Sequence, residues 1–238
     1  MADTAADTGR GFVDVHAVFG PDHGTAGTAG APLDTLVAER RSHGIRLSLA
    51  SSLLATWADG PTGNRLATEA AADPANGLAA IAVVGPHRTG HPARLVDEAE
   101  RSGAVGYRLD GWDGTTPPPE SVHEVLRAVA ATGRPLLVPI ARFGAASVIG
   151  AATDGLGIPV VLLGAHYMHI VDDVAAAVRY PHLHLETSAL AHYRAIETVV
   201  GSIGAERLLF GTGSPIRAAA SPISAVLAAS IPDDYGQR

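Results

Sequence analysis

Short apolar segments alternate with alanine-rich amphipathic segments, and this alternation recurs eight times along the chain. Short apolar runs predict buried parallel strands, whereas apolar residues at helical spacing predict the crossover helices between them. The strands are predicted near 12–17, 46–51, 78–84, 104–109, 135–140, 158–163, 182–187 and 207–211. The helices are predicted near 32–43, 64–73, 92–102, 119–132, 144–154, 169–179, 189–203 and 216–229. Eight such units in series predict a compact, single (β/α)8 TIM barrel of the α/β class.

An open, doubly wound sheet is the alternative that the same repeating units allow. The loop after the first strand carries glycines at 20, 24, 27 and 30, which do not have the G-x-G-x-x-G spacing of a dinucleotide-binding loop. A chain of 238 residues with 47% hydrophobic content fits one barrel domain. We therefore expect a tail over 1–11, a barrel over 12–230 and a second tail over 231–238.

Composition excludes several classes of function. No segment approaches the run of about 18 apolar residues that a membrane span needs, and residues 1–10 lack the apolar stretch of a signal peptide, so a soluble, cytoplasmic protein is expected. The net charge of −7 argues against nucleic-acid binding. There is no cysteine, and all 17 basic residues are arginine. Thiolate and Schiff-base catalysis are therefore excluded, as is a carboxylated lysine that bridges two metal ions.

In a TIM barrel, catalytic residues lie at the carboxyl ends of the strands and in the loops that follow. The first strand carries Asp14 and His16, which strand alternation places on one face with Val18. The loop after it carries Asp22 and His23, and the fourth strand ends in Arg108. We take Asp14, His16 and Arg108 as the catalytic candidates. The candidate pocket residues are Asp110, Arg142, His166, His184, Glu186, Ser188, Thr212 and Ser214.

Five segments together resemble the single-domain branch of the amidohydrolase superfamily, the amidohydrolase 2 type. They are the D-x-H start of the first strand and residues 63–74, 103–109, 181–188 and 206–211, in the order of that family. The family includes metal-dependent amide and lactone hydrolases and nonoxidative aromatic-acid decarboxylases. The resemblance implies a TIM barrel and a hydrolase ancestry.

The metal ligands of that family do not carry over with the fold. Its H-x-H start is matched only at His16, because Val18 stands at the second position. Its fifth and sixth strands usually end in histidine, and its eighth carries an aspartate within F-G-[ST]-D-x-P. This chain has Pro139, Gly164 and Gly213 there. One imidazole cannot hold zinc, which needs about three protein ligands. We expect neither a metal nor another cofactor.

A relocated metal site is one alternative. His182, His184 and Glu186 alternate on one face of the seventh strand, and His166 follows the sixth. With His16, these side chains include enough nitrogen and oxygen ligands for a metal ion. The competing interpretation places His182 and His184 at the inlet end or in the interior of the barrel, with hydrogen bonds to neighbouring residues.

A metal-independent enzyme is a second alternative. His16 would act as a general base that Asp14 or Glu186 orients, and Arg108 or Arg142 would bind a carboxylate. The competing interpretation makes Asp14 a structural partner that holds the first strand and pairs Arg108 with Asp110 or a neighbouring glutamate. These groups suffice for lactone hydrolysis or for proton transfer in a lyase. No G-x-S-x-G nucleophile elbow is present.

The leading hypothesis from the sequence is a non-catalytic barrel. Nonpolar residues replace four ligand positions, which suggests that the constraint of catalysis was released. A barrel core depends on volume and patterning rather than on metal ligands, so the fold survives that loss. Such a chain would support or regulate a related active amidohydrolase, or would assemble with itself. Trp57 and Trp112 lie in the loops after the second and fourth strands, where each could anchor an interface, line a ligand pocket or pack against a neighbouring loop.

Overall fold

Eight parallel strands form the centre of the molecule in a computed structural model that describes residues 11–21, 30–86 and 91–231. The order of the strands in the sheet is the order in the sequence, which a doubly wound sheet does not have. The predicted (β/α)8 barrel is therefore confirmed. The strands are β1 (Phe12–Phe19), β2 (Ile45–Ser52), β3 (Leu78–Val84), β4 (Gly106–Leu109), β5 (Leu136–Pro139), β6 (Val160–Leu163), β7 (Leu183–Glu186) and β8 (Leu208–Leu209).

Hydrogen bonds between β1 and the segment after β8 close the barrel. The amide of Val15 donates to Phe210 O (2.9 Å), that of Gly213 to His16 O (2.7 Å) and that of Val18 to Ser214 O (3.0 Å). The regular strand β8 is shorter than predicted, because residues 210–214 meet β1 through individual bonds rather than a continuous ladder. We call this contact between β1 and residues 210–214 the seam. It brings residues 211–214 beside the strand predicted to carry the catalytic residues.

Nine helices lie in the described part of the chain, and all but one correspond to a predicted helix. They are α1 (Leu33–Ser42), α2 (Leu53–Trp57), α3 (Gly60–Ala72), α4 (Pro92–Arg101), α5 (Glu120–Ala130), α6 (Ala145–Thr153), α7 (Ile170–Arg179), α8 (Ala195–Ile203) and α9 (Ala220–Ala228). The short α2 was not predicted. Within the described ranges, every helix is too short or too polar to span a bilayer.

Helix starts explain the largest differences from the predicted boundaries. Helix α3 begins at its Asp59 cap, whose carboxylate accepts the Thr62 amide (3.1 Å). Helix α8 begins six positions after the predicted 189, because Arg194 adopts a left-handed conformation (φ 56°) that interrupts a helix. Most of the predicted tails, and Asp22 and His23, lie outside the described residues.

The two faces of the barrel wall are packed differently. The interior holds a small cluster in which Ile81, Leu137, Val161 and Leu163 are buried, and Val15 and Leu209 pack against it. The outer face packs under the helices through a larger cluster that includes Tyr107, Leu126, Leu162 and Leu185. Each such side chain contributes about 1.5–3 kcal/mol when fully buried. The apolar interior fills the barrel and leaves polar side chains to the carboxyl ends of the strands.

Candidate active site

Strand β1 does not alternate regularly where the catalytic candidates lie. Its register against β2 shifts between Asp14 and Ala17, which is the signature of a β-bulge. Val15 therefore packs with the barrel interior, whereas Ala17 packs with the cluster under α1. The prediction that Asp14 and His16 share a face is wrong, because strict alternation does not hold through the bulge.

Asp14 ties β1 to the segment after β8. Its Oδ1 accepts the amides of His16 and Thr212 (both 3.0 Å), and its Oδ2 accepts the Thr212 hydroxyl (2.6 Å). Burial raises the pKa of Asp14 to about 6, although these hydrogen bonds oppose the shift. The Asp14 side chain thus holds the seam and the backbone of His16 rather than the imidazole.

Glu186 is the centre of the polar cluster at the end of β7. Its fully buried carboxylate accepts the Gly164 amide (2.7 Å), the Ser188 amide (2.6 Å) and the Ser188 hydroxyl (2.7 Å). Burial acts to raise the pKa of Glu186, but hydrogen bonds from His16 and Ser188 and the charge of His16 together lower it below its usual value. Glu186 is therefore an anion at neutral pH.

His16 points its Nδ1 at this anion. Nδ1 lies 3.3 Å from Glu186 Oε1 and 3.3 Å from Ser188 Oγ, and the side chain is 15% exposed. A carboxylate only accepts hydrogen bonds, so Nδ1 carries the proton and the Nε2 lone pair stays free. Nε2 has no hydrogen-bond partner among the residues that the structure describes. An imidazole held in this way can accept a proton at Nε2.

Arg108 lies on β4 with its guanidinium near this cluster. Burial lowers the pKa of Arg108, and the charges of Asp110 and Glu186 oppose that shift. Its Nε is buried without a partner, and the guanidinium makes no hydrogen bond to any described residue. Arginine remains charged in proteins, so this group is a half-buried cation whose donors are available to a ligand.

A cavity of about 500 Å³ opens at the ends of β5 and β6. Gly164 is part of its wall, and the amide of the same residue bonds to Glu186, so the cavity borders the polar cluster. Its other side chains combine cations with apolar surface; they are Arg142, Phe143, His166, Met168, His169 and Arg217. The chemistry of this wall suits an anion with an apolar body.

A second histidine–carboxylate pair, which was not predicted from the sequence, lies beside this cavity. His169 Nδ1 lies 2.7 Å from Asp173 Oδ2, and both side chains are buried. Burial raises the pKa of Asp173 to about 6, against the opposing hydrogen bond from His169. The signal that could have revealed the pair is the i, i+4 spacing at the start of a helix.

Other predicted site residues lie away from the cluster. His182 precedes β7 and bonds through Nε2 to Thr153 of α6 (2.8 Å), whereas His184 Nδ1 bonds to His182 O (3.1 Å). The prediction that both share a face with Glu186 is therefore wrong for His182, and the inlet-end interpretation fits better. Thr212 and Ser214 belong to the seam, and Asp110 follows β4.

The two tryptophans differ in exposure. Trp112 is buried, and its indole N–H donates to Thr116 O within its own loop (3.0 Å). Its predicted role as an interface anchor is wrong, because the ring packs into the core. Trp57 is 57% exposed at the end of α2.

The positions that the resemblance equates with metal ligands have structural roles in this chain. Gly213 has φ +67°, and the Arg217 side chain lies over it, since a Cβ there would meet Arg217 Cδ at 2.9 Å. Gly164 has φ +85°, and Val18 packs with Ala31 and Leu53. The space beside Gly213 is thus occupied by the stem of an arginine.

The described residues do not form a metal site. Within 11–21, 30–86 and 91–231, no three His, Cys, Asp or Glu side chains come together in a way that could hold a metal ion. A relocated metal site needs such a group. His166 lies with His169 and Tyr167 rather than with Glu186.

The sequence matches no protein-family model and no curated protein. Solved structures do share the fold. A 2,6-dihydroxybenzoate decarboxylase from Rhizobium aligns at 16% identity over 95% of this chain and 94% of its own, with a TM-score of 0.65. The 5-carboxyvanillate decarboxylase from Novosphingobium aromaticivorans, solved with manganese and 4-hydroxy-3-methoxy-5-nitrobenzoic acid, aligns at 14% identity over 98% and 94%, with a TM-score of 0.70. Amidohydrolase 2 from Bifidobacterium longum subsp. infantis aligns at 18% identity over 91% of both chains, with a TM-score of 0.65.

These likenesses confirm the amidohydrolase-like barrel fold and extend over nearly the whole chain. The manganese of the Novosphingobium enzyme has no counterpart ligand set among the residues described here, since no group of three suitable side chains exists.

Proposed function

We propose that this chain is a metal-independent acid–base catalyst that hydrolyses or cleaves a small carboxylated substrate. The observation that carries the proposal is the Arg108 guanidinium, a cation at the barrel mouth whose donors have no hydrogen-bond partner in the described residues. Leaving a buried donor such as Nε without a hydrogen-bond partner costs about 1–3 kcal/mol, which a bound carboxylate offsets. A bidentate carboxylate matches the planar guanidinium fork.

His16 is the proton-transfer group in this proposal. Glu186 holds the Nδ1 proton and stabilises the imidazolium that forms when Nε2 takes a proton. In lactone hydrolysis, Nε2 removes a proton from water, the water oxygen bonds to the carbonyl carbon, and the ring C–O bond breaks. The imidazolium then returns the proton to the leaving oxygen. In a lyase, the same imidazole moves a proton to or from carbon.

The solved relatives agree with a carboxylated substrate. Two of them are decarboxylases that act on 2,6-dihydroxybenzoate and 5-carboxyvanillate, both aromatic acids. In this chain the carboxylate would bind Arg108, and an apolar body would extend into the cavity beside Phe143 and Met168. Arg142 and Arg217 on the same wall favour a net negative ligand.

Benzoate is the probe for the carboxylate site. We expect the substitution Arg108→Met to raise the Kd of benzoate at least about tenfold, because one charged hydrogen-bonded contact is worth about 1.5–3 kcal/mol. Isothermal titration calorimetry measures the Kd. The matched control is Arg65→Met, at a 61% exposed arginine on α3, which should leave the Kd unchanged.

Turnover separates catalysis from binding. The assay uses a panel of carboxylated lactones and aromatic acids and protein treated with a chelator. We expect the unaltered protein to turn over at least one of these compounds. The His16→Ala variant should lose this activity but still bind benzoate. Equal benzoate affinity in the unaltered protein and the Arg108→Met variant would refute the carboxylate site.

A partner subunit is the second candidate, and exposed apolar side chains favour it. Trp57, Phe143, Tyr167 and Tyr193 are 57%, 69%, 62% and 91% exposed, and they follow β2, β5, β6 and β7 at the carboxyl ends of the strands. Aromatic side chains on one face of a protein are typical of an interface. Such a chain would assemble with a related active barrel or with itself.

Native mass spectrometry tests this candidate. If the chain is a partner subunit, Trp57→Arg should raise the Kd of the assembly at least about tenfold, as loss of an aromatic anchor typically does. Arg108→Met should leave the activity of the complex unchanged. A monomer at micromolar concentration, or a complex whose activity needs His16, would contradict the partner interpretation.

A further inference from the structure

A chain of hydrogen bonds runs from the outside of the barrel to β1. Glu39 on α1 accepts the Ser214 hydroxyl at Oε2 (2.5 Å) and the Ala219 amide at Oε1 (3.1 Å). The Ser214 amide donates to Thr212 Oγ1 (3.0 Å), and that hydroxyl donates to Asp14 Oδ2 (2.6 Å). Glu39 is therefore linked through the seam to the residue that holds the backbone of His16.

The loop between the two contacts of Glu39 carries Arg217. The amide of Arg217 donates to Gly213 O (3.0 Å), which folds the loop into a turn. Its side chain lies over Gly213 and lines the cavity beside the polar cluster. No hydrogen bond or ion pair of the described residues holds the Arg217 guanidinium itself. Its position therefore depends on the backbone turn that Glu39 fixes at both ends.

We infer that Glu39 is a positioning residue, which acts from outside the barrel to hold Arg217 over the ligand cavity. The inference rests on the proposed function, since it assumes that the negatively charged ligand whose carboxylate binds Arg108 extends into that cavity. Glu39 touches neither the cavity nor the polar cluster and acts only through the loop 213–219. A side chain three residues before the end of α1 thus becomes part of the site.

The test compares two substitutions at one position. In Glu39→Gln, the amide oxygen still accepts the Ala219 amide, and the new NH2 group donates to the Ser214 hydroxyl, which can also accept. We expect the Kd of benzoate to stay within about twofold of that of the unaltered protein. In Glu39→Ala, both contacts of Glu39 are lost, so Arg217 is no longer held over the cavity. We expect the Kd of benzoate to rise about fivefold, because the contribution of Arg217 to binding is about that of one ordinary hydrogen bond.

A double-mutant cycle with Arg217→Gln shows whether the effect passes through Arg217. If it does, Glu39→Ala has no further effect on the Kd in the Arg217→Gln background. The matched control, Glu124→Ala on the exposed face of α5, should leave the Kd unchanged in both backgrounds. Amide hydrogen exchange of Ala219, the direct donor to Glu39, should become faster in Glu39→Ala only.

Three outcomes would overturn the inference. One is an unchanged Kd in Glu39→Ala while the unaltered protein binds benzoate. Another is an equal rise in Kd with and without Arg217, since the effect would then not pass through that side chain. The third is no benzoate binding by the unaltered protein, in which case the proposed function would fail with the inference. Faster exchange of the Ala219 amide in Glu39→Ala would then show that Glu39 only stabilises the structure of the loop.

Discussion

Glu186→Ala is expected to lower the free energy of unfolding by about 3–5 kcal/mol, the typical result of removing one partner from a buried charged cluster. The carboxylate accepts the amides of Gly164 and Ser188, and it also meets the His16 ring. Without it, the buried Ser188 amide and the half-buried Gly164 amide lose their acceptor, and the loss for a buried amide costs about 1–3 kcal/mol. Denaturant unfolding monitored by circular dichroism at pH 7 measures the change.

Two controls show whether the loss comes from this cluster. Glu124→Ala, at an exposed position of α5, should change the free energy of unfolding by less than about 0.5 kcal/mol. Glu186→Gln keeps one acceptor oxygen but turns an NH2 group toward a buried donor, so its loss should be intermediate. A loss below about 1 kcal/mol in Glu186→Ala would mean that the amides find other partners, and Glu186 would not be the anchor of the site.

The pH dependence of this effect has a defined sign. The pKa of Glu186 is lower in the folded protein than its ordinary value of 4.5. A depressed carboxyl pKa stabilises the fold above the unfolded pKa, and this stabilisation is lost as pH falls through the folded pKa. The difference in unfolding free energy between the unaltered protein and Glu186→Ala should therefore be full at pH 7 and should narrow below pH 4.5.

The fold could be predicted because its signals are local and repeated. Each strand is a short apolar run, and each helix follows at a regular interval, so eight weak predictions support one another. The boundaries were less predictable where a tertiary contact decides them. Helix α9 begins at Ala220 rather than 216, and the preceding Ala219 amide bonds to Glu39 of α1, a contact that no local pattern records.

The candidate site was predicted in its residue types but not in its geometry. His16, Arg108, Glu186 and Ser188 were all expected at strand ends, and the structure brings His16, Glu186 and Ser188 into direct contact. The bulge in β1 reversed the expected side of Asp14, because alternation fails wherever a strand takes an extra residue. Arg217 and the His169–Asp173 pair were missed because loops and helix starts carry no strand periodicity.

Gly164 and Gly213, which the resemblance equates with metal-ligand positions, both serve the polar cluster or the cavity of this chain. Gly164 donates its amide to Glu186, and its left-handed backbone favours glycine over a residue with a side chain. Gly213 leaves room for the stem of Arg217. Residues that drift without constraint have no reason to supply a hydrogen bond to a buried carboxylate or space for a cavity cation. This is why acid–base catalysis, rather than a silent scaffold, is the first proposal.

Gly211→Ala is expected to damage both stability and binding, because a Cβ at 211 has no room. It would collide with Glu186 Oε2 and would lie 3.2 Å from His16 Cβ. The backbone cannot retreat easily, since Thr187 Oγ1 accepts the Gly211 amide (3.0 Å) and donates to Gly211 O (2.9 Å). Overpacking of this kind typically costs about 1–3 kcal/mol, and displacement of Glu186 adds the loss of about one further hydrogen bond.

Gly201→Ala on α8 is the matched control, since a Cβ there meets nothing within 4 Å and alanine favours a helix by about 0.5–1 kcal/mol. We expect Gly211→Ala to lower the unfolding free energy by about 2–4 kcal/mol and to abolish the His16-dependent turnover, while Gly201→Ala is neutral or stabilising. Denaturant unfolding and the lactone assay measure the two effects. If Gly211→Ala retained full stability and turnover, Glu186 and His16 would have to move apart freely, and the rigid pair on which the proposed catalysis depends would not exist.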